Sequence, residues 1–94
     1  SVPLPGVAGN PDPVFRARDV SVTPTLSWTA GSDAVSHDVY FGTDSGNLIF
    51  QGNQVGTSFA PGTLGNKITY YWRIDEVNSA GTTTGPVWQF KTVR

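Results

Sequence analysis

The chain has 94 residues, 37% hydrophobic and 14% charged, a length that holds one compact domain around a single core. Six Lys plus Arg against seven Asp plus Glu leave a net charge of -1, so the average charge offers no drive toward nucleic acid or an anionic membrane surface. The absence of cysteine excludes disulfide staples, thiolate nucleophiles and thiolate metal sites, while three Trp, three Tyr and five Phe can fill a dense aromatic core.

Four of the seven prolines (Pro3, Pro5, Pro11 and Pro13) fall in the first thirteen residues among Gly6, Gly9 and Asn10. This composition predicts a Pro/Gly-rich extended linker over 1–12 and a domain over 13–94. A start on Ser1 adds the expectation that the chain is one module of a longer protein. No stretch approaches the roughly 18 consecutive apolar residues of a membrane span, and no basic-then-apolar leader is present, so no membrane partner is expected.

From Arg16 onward the apolar pattern has a period of two, and no run has helical spacing. Val20 and Val22 alternate with polar neighbours, and after Pro24 the pattern resumes with Leu26 and Trp28, which predicts two strands. Val39 and Phe41 alternate with Asp38 and Tyr40 in a third. The turn chemistry of Gly42 to Asn47 leads into a short edge strand at 48–51, and another strand follows near Val55 to Phe59. The clearest alternation runs from Lys67 to Asp75, with Ile68, Tyr70, Trp72 and Ile74 on a dry face and Thr69, Tyr71, Arg73 and Asp75 on a wet one. After a loop over 78–86, a last strand places Trp88 and Phe90 inward and Val87, Gln89 and Lys91 outward. About seven short strands at regular spacing predict an all-β sandwich of immunoglobulin-like type.

Leu64 stands six residues before Tyr70, which opens the longest strand, and the segment continues to Val77-Asn78-Ser79-Ala80-Gly81. This arrangement resembles the fibronectin type III family, in which such a Tyr forms a corner by bonding back to the backbone near the Leu. Trp28 is similar to the family's core Trp on the second strand. The resemblance spans about 13–92 and implies a seven-stranded sandwich. Its wording in Leu26-Ser27-Trp28-Thr29, in 37–43, in 70–78 and in 87–92 looks like a bacterial subgroup appended to secreted polysaccharide-degrading enzymes and cell-surface proteins. That likeness implies a non-catalytic accessory module outside the cytoplasm, partnered by neighbouring domains of its own polypeptide. The family's integrin-type Arg-Gly-Asp is missing from the matching loop, Asn78 to Pro86.

The residues argue against chemistry of their own. Asp75 and Glu76 are the only adjacent carboxylates; neighbours on a strand point to opposite faces, so the pair cannot converge on one glycosidic bond and reads as solvated or salt-bridged surface charge. His37 is the single histidine and by parity joins the Val39/Phe41 face at the rim, a structural hydrogen-bonding role. Asp44 to Asn47 offers too few charged ligands for calcium, and the scattered glycines form no phosphate cradle. No enzyme activity, cofactor or metal is expected, and the domain is expected to be a monomer. By parity Trp28, Trp72 and Trp88 belong to the core, which leaves over Phe50 on the edge strand and, facing outward, Tyr40 and Tyr71. In the family's topology the two tyrosines share one face with Asp38, Arg73, Asp75, Gln89 and Lys91. That face reads as ordinary cross-strand pairing, with Arg73 bound to Asp38 or Asp75. It offers a second reading as a strip for a neutral polysaccharide, in which sugar rings stack on the tyrosines and polar neighbours bond the hydroxyls.

Overall fold

The computed structural model describes residues 2–94 and contains nine strands and no helix among them: β1 (Gly9–Asp12), β2 (Ala17–Val20), β3 (Leu26–Thr29), β4 (Ser36–Gly42), β5 (Ile49–Gln54), β6 (Ser58–Phe59), β7 (Thr69–Asn78), β8 (Gly81–Thr83) and β9 (Val87–Thr92). One sheet has the order β1-β3-β6. The other has β2-β9-β7-β4-β5, with β8 paired to β7. Alternation in β3, β4, β7 and β9 turns Leu26, Trp28, Val39, Phe41, Tyr70, Trp72, Ile74, Trp88 and Phe90 into the space between the sheets, where all are buried.

The core aromatics form two groups. Trp72 meets Trp88 edge-on at 4.7 Å between ring centroids and tilts against Trp28 at 6.1 Å. Phe41 stacks on Tyr70 at 5.3 Å, and Tyr70 on Phe90 at 5.9 Å. Aromatic pairs at such separations contribute about 0.5–1.5 kcal/mol each beyond the area they bury, which is how a chain without cysteine closes a sandwich. The Tyr70 hydroxyl accepts the Gly65 N–H at 2.9 Å, pinning the turn before β7 just after Leu64. The corner inferred from Leu64 and Tyr70 is therefore formed.

Several expectations need correction. The segment read as linker carries β1, which pairs antiparallel with β3, and Ala8 just before it is a core residue. Further upstream, Gly6 N donates to Ser32 O at 2.9 Å, Asn78 Nδ2 to Pro3 O at 2.8 Å and Thr83 Oγ1 to Pro5 O at 2.7 Å. Proline spares the segment unsatisfied N–H groups while its carbonyls remain free to accept, so a Pro-rich stretch can dock through carbonyls alone. The loop over 78–86 contains β8, folded back on β7 through a turn at Ser79-Ala80 whose Ala80 N–H bonds Asn78 Oδ1 at 2.8 Å. Ile68, expected inside, is exposed: Lys67 has a φ of 57°, and this left-handed residue interrupts the alternation before β7 begins.

The two ends of the chain leave at opposite poles. Pro3 is fastened to Asn78 at the C-terminal end of β7, whereas Lys67 N, just before β7, donates to Val93 O at 2.8 Å. A strand of this length separates those points by about 30 Å, within a body of 49 × 22 × 19 Å.

Candidate functional site

The ladders that carry the expected face run β5-β4-β7-β9, with Tyr40 opposite Phe50 and Arg73, Asp38 opposite Asn53 and Asp75, and Tyr71 opposite Gly42 and Gln89. The strands that the family resemblance set side by side are neighbours in the sheet, and Asp38, Tyr40, Tyr71, Arg73 and Gln89 are all partly exposed on the outer face. The Arg73 guanidinium lies 4.1 Å from the centroid of the Tyr40 ring, a cation–π contact that covers one face of that ring. Phe50, half exposed on the edge strand, tilts against Tyr40 at 5.4 Å.

Asp75 departs from the expectation. It is only 5% exposed, because Arg73 grips both its carboxylate oxygens, at 2.8 and 3.1 Å, and the Gly85 N–H donates to Oδ1 at 3.1 Å. Gly85 lies so close to the Ile74 carbonyl that no Cβ fits there, and the loop consequently lies over Asp75. Asp38 is likewise engaged, accepting Asn53 Nδ2 at 2.8 Å. Asp38, Arg73 and Asp75 thus have their partners within this face and the loop above it. Arg73 with Asp75 is one of the two pairings anticipated for it.

A second cluster lies inside the sandwich at the pole where the N-terminal segment docks. Glu76, read from sequence as surface charge, is fully buried; its Oε1 is hydrogen-bonded to His37 Nδ1 and its Oε2 accepts the Gly31 N–H at 2.8 Å. His37 is also buried, with its ring edge-on to Trp28 at 5.6 Å. The structural role inferred for His37 holds, and its partner is the residue that sequence reasoning misplaced. Extending the parity of Tyr70, Trp72 and Ile74 by one step places Glu76 inward, so the signal was present. Gly31, in turn, abuts the Gly6 carbonyl with no room for a Cβ. Glu76 therefore holds the loop against which the N-terminal segment rests.

The described residues contain no group of three or more His, Cys, Asp or Glu placed to hold a metal ion. The two packed sheets, antiparallel except where β2 runs parallel to β9, define with the tyrosine corner an immunoglobulin-like sandwich. More narrowly, the fold is that of fibronectin type III domains. The sixth such domain of human fibronectin type III domain containing protein 3 superposes with a TM-score of 0.71 at 14% identity, covering 100% of this chain and 89% of that one. A structure described as a myokine gives 0.68 at 20% identity over 96% and 99% of the two chains, and the domain called FN3tt gives 0.67 at 20% over 94% and 97%. Identities this low define the fold alone. No family model and no curated protein matches the chain.

Proposed function

We propose that this domain is a non-catalytic spacer that fixes the separation and orientation of its neighbours in a secreted or cell-surface bacterial protein acting on polysaccharide. The observation that carries the spacing role is the exit of the two chain ends at opposite poles, with the upstream end fastened by Asn78, Thr83 and Ser32. A joint held by three hydrogen bonds transmits orientation, which a flexible tether does not. The polysaccharide and bacterial context rests on the sequence resemblance. In a second reading the outer face binds a neutral glycan, and the half-exposed Phe50 beside Tyr40 favours it. Against it stands the Tyr40 ring face already occupied by Arg73.

Affinity electrophoresis through gels containing neutral polysaccharides separates the two. The spacer predicts unchanged mobility in every gel for wild type and Tyr71→Ala alike. Retardation by one polymer that disappears in Tyr71→Ala would replace the spacer with a binding module.

A further inference from the structure

The net charge of -1 conceals an uneven distribution. Five of the six basic side chains, Arg16, Arg18, Lys67, Lys91 and Arg94, line two adjoining clefts of about 320 and 400 Å3 near the C-terminal end, with Asp19 as the one acidic side chain among the lining residues. Arg18 and Lys91 border both clefts and join them into one trough. The fold explains the gathering. β2 lies parallel to β9 with Ala17 packed on the core, which leaves Arg16 and Arg18 outside, and Lys91 alternates with the buried Phe90 and Thr92. All five are exposed, and neither the Arg73–Asp75 salt bridge nor the His37–Glu76 hydrogen bond uses any of them.

The backbone adds an independent sign. Arg16, Asp19 and Lys67 have φ values of 65°, 55° and 57°, so three of the five non-glycine residues in left-handed conformation border this trough. Glycine would occupy such positions without strain, yet at two of them a long cation stands, and strain of this kind gathers where a side chain is held for binding. Crowded like charges also raise the local potential and favour a polyanion.

We propose that this trough binds an acidic polysaccharide, a linear glycan carrying spaced carboxylates or sulfate esters. The joined clefts suit a chain of separated charges better than a single anion, and the arginine forks match carboxylate and sulfate oxygens. Thr69 and Gln89 in the same wall supply neutral donors and acceptors for ring hydroxyls. A single-stranded nucleic acid calls for successive open rings, whereas Phe15 beside the trough is capped by Arg16 at 5.1 Å. A membrane surface calls for apolar side chains to insert, and the walls are mainly basic and polar. This inference concerns the β2 and β9 margin of the same outer face, which shares Gln89 with the Tyr40 strip, and holds whether or not the spacer reading does.

The test is affinity electrophoresis and titration calorimetry of the whole chain with polygalacturonate, dextran sulfate, uncharged dextran and single-stranded DNA, at low and at physiological ionic strength. Wild type binds polygalacturonate, dextran sulfate or both, the two arms separating carboxylate from sulfate recognition. It ignores dextran, prefers the glycan to DNA, and weakens as salt rises. Arg18→Glu and Lys91→Glu each lower the affinity about tenfold or more, while Thr82→Glu, a charge added on β8 at the other pole, leaves it unchanged. Should a reversal variant fail to fold, the salt dependence and the glycan-induced rise in wild-type melting temperature still decide. No binding of either acidic glycan at low ionic strength, affinity unaltered by both reversals, or DNA bound as tightly as the glycans would each overturn the proposal.

Discussion

At the scale of single residues, burial rather than charge decides what a substitution does. Glu76→Ala leaves His37 Nδ1 and the Gly31 N–H without their acceptor inside a closed core. Each buried group left without its partner costs about 1–3 kcal/mol, so urea denaturation should place the midpoint of the variant well below wild type. Asp44→Ala loses only an exposed turn bond to the Gly46 N–H at 3.0 Å and should stay within about 0.5 kcal/mol of wild type. Tyr70→Phe keeps the ring stack and removes the acceptor of Gly65, a loss of about 1 kcal/mol in the same measurement. Equal denaturation midpoints for Glu76→Ala and Asp44→Ala would contradict the structural role given to Glu76. The sequence made Tyr70 legible because its spacing from Leu64 is itself the signal. It obscured Glu76 because a carboxylate at an inward position sets parity against hydrophobicity, and only the fold supplies the histidine and the N–H that settle the conflict.

Among the elements, legibility follows how much of each one's stability comes from its own side chains. β7 and β9 were readable from alternation because each has one dry face. β1, with Gly9, Asn10, Pro11 and Asp12, has no apolar alternation at all, and backbone pairing to β3 creates it. β8 is similarly a backbone element, made by the Asn78 turn. The cover over Asp75 comes from a loop distant in register, which strand periodicity cannot encode. A direct consequence concerns the N-terminal segment. Deleting residues 1–12 strips one edge from the smaller sheet and removes Ala8 from the core, which should lower the thermal midpoint seen by circular dichroism by roughly 10 °C. A plain linker would come off with no shift. Gly31→Ala should give part of this loss, since the new methyl group meets the Gly6 carbonyl and forces the docked segment outward.

For the whole molecule, the question raised by the proposed spacing role is whether the domain holds its two ends at a fixed distance and direction. The docking bonds of Pro3, Pro5 and Gly6 and the bond from Lys67 to Val93 hold both ends close to rigid strands, at opposite ends of β7. Because the chain contains no cysteine, a Val2→Cys, Arg94→Cys variant can carry a donor and an acceptor dye at those two positions alone. Energy transfer should report a single narrow separation of at least about 30 Å, comparable with the 49 Å long axis. Adding Asn78→Ala removes the acceptor of the Ala80 N–H and the donor to Pro3 O together, and should broaden that distribution while the core remains folded by tryptophan fluorescence. A distribution already broad in wild type would mean that the upstream joint is loose. The domain would then limit the reach between its two ends without fixing their direction.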